Sequence, residues 1–271
     1  STIVNNSVLT LVGTIGGKLL FFLTQVVIVQ IFGFRYFGLL MLGLRTTDLT
    51  RIFSSIGMPK GGMRFLSMAV TSREKRAEIP GIIFSCLCVP LAIGIPFAAI
   101  LYIFSPTISE RLLHAPLLTT YLRLLAIAVP FAIVTHLGID LSRAFRTTKY
   151  AVLIENILLP VGRFGLFLLL YLVLRDFCSA VLATMFAYML GAIAAFLVIR
   201  RLLRRFYGRD WQPVKFLRQW RPHSFRTDIV RYSFPLFLSG CSGILLGSTD
   251  ILMLGYFKNP EAVGIYGAAL T

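Results

Sequence analysis

The chain has 271 residues, 57% hydrophobic and 14% charged, with a formal net charge of +16. A soluble domain is about half apolar and about a quarter charged, so the shortfall here is in charge, and the apolar residues gather in more long runs than one soluble core can hide. A bilayer accommodates such runs because a helix satisfies its own backbone hydrogen bonds there, so composition points to an all-α polytopic membrane protein and away from a soluble nucleic-acid binder.

A spanning helix needs about 20 mostly apolar residues. Seven runs meet that length: Val8–Phe32, Tyr36–Met58, Pro80–Phe104, Leu117–Ile139, Ala151–Leu174, Phe177–Ile199 and Tyr232–Tyr256. An eighth begins near Glu261 and stops with the chain at Thr271. The first run is long enough to span, so no cleavable signal peptide is expected. The chain opens without Met and ends inside an apolar segment, as a fragment would. Cys86, Cys88, Cys178 and Cys241 lie in or beside apolar runs with no Cys-x-x-Cys spacing and read as inert thiols. His114, His136 and His223 are far apart, near expected helix ends or in loops, and suggest no metal site.

Lys and Arg are retained on the cytoplasmic side of a membrane. Sorting the gaps between runs by parity puts eighteen basic residues on one side: Lys60 to Arg76, Arg143 to Lys149, and Arg200 to Arg231. The other side has four: Arg35, Arg111, Arg175 and Lys258. The N-terminus is therefore expected in the cytoplasm. The gap Arg200–Arg231 interleaves its cations with Leu202, Leu203, Phe206, Trp211, Phe216, Leu217 and Trp220, the pattern of an interfacial helix on anionic lipid.

That gap also divides the chain into an N-terminal bundle (1–199, helices one to six), a basic cytoplasmic linker (200–231) and the start of a second bundle (232–271). Helix seven restarts from the cytoplasmic side, so a repeat would be parallel. An offset of 226 carries Ser7 onto Ser233, Gly17 onto Gly243, Leu19-Leu20 onto Leu245-Leu246 and Gly38 onto Gly264. Two such bundles about an axis along the membrane normal form a transporter plan.

Three stretches carry a family resemblance. One is Gly16-Gly17-Lys18-Leu19-Leu20-Phe21-Phe22-Leu23-Thr24-Gln25-Val26-Val27, running on to Phe32-Gly33 and Tyr36-Phe37-Gly38. Another is Ser233-Phe234-Pro235-Leu236-Phe237-Leu238-Ser239, with Thr249 to Phe257 and Pro260 to Tyr266. The third is Ser55-Ile56-Gly57-Met58-Pro59 followed by Arg64-Phe65. All resemble the polysaccharide biosynthesis proteins of the oligosaccharide (O-antigen type) flippase kind. These belong to the exporter superfamily that also holds multidrug extruders and lipid II flippases. The resemblance implies twelve to fourteen helices and a polyprenyl-pyrophosphate oligosaccharide as cargo in a bacterial inner membrane. It implies no cofactor beyond proton or sodium coupling. The partners it implies are membrane lipids, the lipid-linked substrate, and polysaccharide polymerase or assembly proteins.

Charge inside a bilayer is costly and marks functional candidates. Lys18 lies mid-way along helix one, Arg45 near the centre of helix two and Arg163 centrally in helix five. Arg123 is close enough to an interface to snorkel, and Arg51 sits between the two cases. Thr14, Lys18 and Gln25 share one helical face by spacing. Asp48 is three residues from both Arg45 and Arg51, within reach of either. One reading is an internal ion pair that staples helices; the other is a polar face on a central cavity. For a pyrophosphate cargo, Lys18, Arg45 and Arg163 are the expected anion contacts, with Arg51 a further candidate. Thr24 and Gln25 would hydrogen-bond sugars, while Asp48 and Asp250 are candidates for ion coupling. Pro90, Pro96, Pro130, Pro160 and Pro235 would interrupt helices, and Gly13, Gly16 and Gly17 would give helix one a small packing face.

Two further readings stay open. A drug or cation exporter keeps the fold, but central basic residues would repel a cation. A membrane glycosyltransferase or polymerase would need large outward loops with catalytic carboxylates. The loops on that side, Gly33–Arg35, Ser105–Pro116, Arg175–Asp176 and Phe257–Pro260, are short and hold no carboxylate pair. A non-enzymatic flippase is the reading that uses most of the observations.

Overall fold

The structure, a computed structural model, describes residues 2–145, 147–207 and 227–270, with 2–10 and 244 as backbone only. Among them there is no strand. The order is α1 (Thr2–Ser55), α2 (Met58–Thr71), a 3-10 turn (Glu74–Glu78), α3 (Ile79–Thr107), a π turn (Ile108–Leu112) and α4 (Leu118–Arg143). Then come α5 (Lys149–Val152), a π segment (Leu153–Leu158), α6 (Leu159–Leu174), α7 (Cys178–Tyr207), α8 (Thr227–Phe257) and α9 (Pro260–Ala269).

The first two expected spans are joined as α1. At 1.5 Å per residue so long a helix would overshoot the roughly 30 Å hydrocarbon core more than twofold if straight. It is broken at Gly33, whose φ of 82° and ψ of 170° are open to glycine but hardly to any residue with a Cβ. Two arms result, 2–32 and 34–55. The second arm ends where Ile56 (φ 43°) and Gly57 (φ 68°) turn left-handed, and Pro59 sits in the first turn of α2. The other membrane-length helices are Glu74–Leu112 with its turns, Leu118–Arg143, Lys149–Leu174 and Cys178–Tyr207. Helix α8 is a pair, Thr227–Gly243 and Leu245–Phe257, bent by 45°.

Two differences from the sequence expectation have physical causes. Helix α2 occupies what reads as a loop; it is short and amphipathic, burying Met58, Leu66 and Ala69 while Lys60 and Arg64 stay out. And α7 runs to Tyr207 while α8 starts at Thr227, so both ends of the basic linker are helical extensions. The remaining linker residues, Trp211, Phe216, Leu217 and Trp220 of the interfacial-helix reading among them, lie outside the described residues.

Packing gathers the turns at two opposite ends. At one, Phe177 meets Phe32, Tyr36 and Tyr121 with ring centroids 5.3, 5.2 and 4.9 Å apart, which ties together the turns around residues 33, 117 and 176. At the other, Met58, Ile79, Leu141, Ala144, Leu203 and Ile229 share one buried cluster. This second end carries the three basic gaps. Between the ends, apolar side chains face outward, with Ile95 56% and Phe196 66% exposed, as lipid contact requires.

The first arm of α1 packs on α5 and the π segment through glycine. A Cβ on Gly13 would lie 2.8 Å from Cγ1 of Val152, and one on Gly17 would run into the Asn156 carbonyl oxygen. Gly16 has nothing within 4 Å and takes no part in that face. Pro160 supplies no N–H to the carbonyl of Asn156, four residues before it, and the π segment fits that loss just ahead of α6. Pro90, Pro96, Pro130 and Pro235 lie within helices, whereas Pro160 stands in the first turn of α6.

Candidate functional site

A small cleft, about 20 Å³ in volume, lies between the two arms of α1, α6 and α7. Thr24 and Gln25 of the first arm and Arg163 of α6 reach it together, with Thr184 of α7 beside them. Thr24 and Gln25 are buried, at 3% and 7% exposure. The Thr24 hydroxyl donates to the Leu20 carbonyl of its own helix at 2.7 Å, which leaves its oxygen lone pairs as acceptors. Among the described residues, Arg163 is the one charged residue lining the cleft.

The surroundings of Arg163 are aromatic. Its guanidinium carbon lies 5.8 Å from the ring centroid of Phe21 and 5.8 Å from that of Tyr188. Such contacts stabilise a cation by about 0.5–2 kcal/mol yet leave its N–H donors in the guanidinium plane. No carboxylate pairs with Arg163 among the described residues. His136 of α4 packs against Tyr188 at 6.3 Å and lies within electrostatic range of Arg51, Arg143 and Arg163.

The other candidates are placed elsewhere. Lys18 lies two turns before Gln25 on the first arm, exposed beside Ile15, Leu19 and Phe22, and does not line the cleft. Thr14, one turn earlier, accepts a 2.9 Å hydrogen bond from the Asn156 side chain. Arg45 is half-buried and follows Leu44, which lines the cleft, but does not line it itself. Arg51 pairs with Asp48 at 3.3 Å within the second arm; of the two arginines in reach by spacing, that carboxylate takes Arg51. Asp250 is exposed on α8 and accepts a 3.1 Å hydrogen bond from the Tyr266 hydroxyl of α9.

Sequence reading did not select Phe21, Tyr188, Thr184 or His136. Thr184 and Tyr188 are four apart on one face of α7, but nothing in that spacing says that α6 will bring a guanidinium to it. Nor did it select the ionic knot at the basic end, where Arg143 bridges Asp140 and Glu155, each at 2.6 Å. Charges there sit at helix ends and read as solvated.

A family model described as "Polysaccharide biosynthesis protein" matches residues 3–271. No curated protein matches the chain, and no solved structure does.

Proposed function

The chain belongs to the polysaccharide biosynthesis protein family, and from that premise we propose that it flips a polyprenyl-pyrophosphate-linked oligosaccharide across the bacterial inner membrane. The N-terminus and the basic end face the cytoplasm in this reading, and transport proceeds by alternating access, without enzymatic chemistry. The observation that carries it is Arg163, a membrane-embedded guanidinium with no acidic partner among the described residues, held by aromatic faces at a small, mostly apolar cleft that Thr24, Gln25 and Thr184 also line.

A bare arginine at membrane depth costs about 2.5–3.5 kcal/mol on insertion scales. An anionic headgroup would offset that cost, and the planar fork of Arg suits paired phosphate oxygens. Thr24, Gln25 and Thr184 then offer hydrogen bonds to the first sugar. Lys18 and Arg45 extend the positive field along the path, and Arg51, held by Asp48, contributes less. Asp48 and Asp250 remain the acidic groups through which a proton or sodium ion would be coupled.

The test is uptake by inverted membrane vesicles containing the full-length protein. A labelled polyprenyl-pyrophosphate oligosaccharide is expected to move, and a cationic drug is not. Drug uptake without oligosaccharide movement would overturn this reading in favour of an exporter. Chemical conversion of the lipid without movement would overturn it in favour of an enzyme.

A further inference from the structure

The end away from the basic gaps carries a polar ladder that the proposed function does not use. Ser105 of α3 and Ser109 of the π turn after it are four residues apart, and so are Thr119 and Arg123 of α4. Residues at that spacing share one helical face. The two faces meet in antiparallel register. Nε of Arg123 donates to Oγ of Ser105 at 3.3 Å, and the hydroxyls of Ser109 and Thr119 bond to each other one rung nearer the turn. Both serines are fully buried. The Ser105 hydroxyl gives its own proton to the Tyr102 carbonyl at 2.8 Å, which leaves its oxygen to accept from Arg123.

This rung orients the Arg123 guanidinium without neutralising it. Its carbon lies 5.6 Å from the ring centroid of Tyr102. Arg123 is exposed, and no carboxylate pairs with it among the described residues. The Nε–H is spent on Ser105, while four N–H donors remain on Nη1 and Nη2. Arg123 stands five residues past Leu118, the first residue of α4, about 8 Å along the axis. Side chains on a helix lean toward its N-terminus, which here carries the guanidinium back toward the headgroup layer flanking the hydrocarbon core. Deeper in the membrane, exposed apolar groups continue both faces: Ile127, one turn beyond Arg123 on α4, and Ile95, two turns before Tyr102 on α3.

We propose that Arg123, oriented by Ser105 and backed by Tyr102, binds the headgroup of an anionic phospholipid in the leaflet away from the basic gaps. The planar fork takes two phosphate oxygens, and Ile127 and Ile95 flank the acyl chains below. Charge complementarity selects the occupant. A zwitterionic headgroup brings an ammonium that a guanidinium repels, whereas phosphatidylglycerol brings the phosphate alone. The site lies between α3 and α4, apart from the Arg163 cleft between α1, α6 and α7. It rests on the chain's spanning a membrane and not on what the chain transports.

The experiment is native mass spectrometry of the full-length protein in detergent, titrated with dioctanoyl phosphatidylglycerol. Arg123→Gln is expected to raise Kd by about 5- to 10-fold. Arg175→Gln, at an exposed arginine of the same end, is expected to leave it unchanged. Dioctanoylglycerol has the same chains without the phosphate and should bind wild type and Arg123→Gln alike. Inorganic phosphate should not displace the lipid. Equal Kd in wild type and Arg123→Gln would overturn the site, and an equal loss at Arg175→Gln would overturn it in favour of a diffuse positive surface. Displacement by inorganic phosphate would overturn the lipid as occupant. Arg123→Lys keeps the charge and loses the fork, so its Kd should fall between those of wild type and Arg123→Gln. A wild-type Kd in that variant would overturn the forked grip.

Discussion

Arg163 and Arg143 belong to the same bundle and are both arginines beside a helix break, yet their surroundings differ in kind. Arg143 lies at the basic end, 37% exposed, between two carboxylates at 2.6 Å each. Its charge is neutralised by the protein. Arg163 lies at membrane depth between two aromatic rings, with no carboxylate paired to it among the described residues. The first arrangement joins α4 to the π segment and leaves nothing for a ligand. The second keeps a cation charged and oriented without consuming its hydrogen-bonding fork. The contrast separates a charge that holds helices together from one that, under the proposed function, meets an anion.

Substitution at the two sites should therefore break different things. Arg163→Gln is expected to lower oligosaccharide flux by about 10- to 100-fold, the equivalent of one charge-assisted hydrogen-bond set of about 1.5–3 kcal/mol. Its melting temperature in detergent should hold, and flux per folded molecule is the measurement. Gly17→Val probes the packing beneath the cleft. Its side chain would run into Asn156, and overpacking of this kind costs about 1–3 kcal/mol of stability. Thermal unfolding should show the loss, and Gly16→Val, with open space, should not reproduce it.

Arg143→Gln should cost about 0.2–1 kcal/mol, because the pair is partly exposed and screened, with flux per folded molecule unchanged. The exchange Arg143→Glu with Glu155→Arg should recover part of that stability, measured in the same melt. The smallest effect is expected at Lys18, which is exposed and outside the cleft. Lys18→Gln should reduce flux by no more than several-fold, the equivalent of under about 1 kcal/mol. A loss at Lys18 matching that at Arg163 would erase the distinction drawn between cleft and exposed face.

The spans were legible because the bilayer imposes one rule on all of them: enough apolar residues to cross, with breaks at glycine, proline and charge. Gly33 marked its break in the sequence as it does in space. The three-residue spacing put Asp48 within reach of both Arg45 and Arg51, and only the folded chain shows that it pairs with Arg51. Helix α2 was not legible, since a short amphipathic helix in a basic gap has the composition of a loop. The π segment before Pro160 was hidden for a related reason. Its cause is a missing N–H and a glycine contact from another helix, and neither shows as periodicity. For the site, depth alone pointed to Arg163. Its aromatic neighbours Phe21 and Tyr188 come from helices on either side of it in the chain, and only the folded bundle brings them to one guanidinium.

The proposed function requires the Arg163 cleft to hold a phosphate-bearing headgroup. The most direct measurement is equilibrium binding of a short-chain polyprenyl pyrophosphate to the protein in nanodiscs, wild type against Arg163→Gln, with Arg143→Gln as the control. Kd is expected to rise by about 10- to 100-fold in the first variant and to stay unchanged in the second. Equal affinity in wild type and Arg163→Gln would contradict it and make the arginine a packing residue held by its aromatic neighbours.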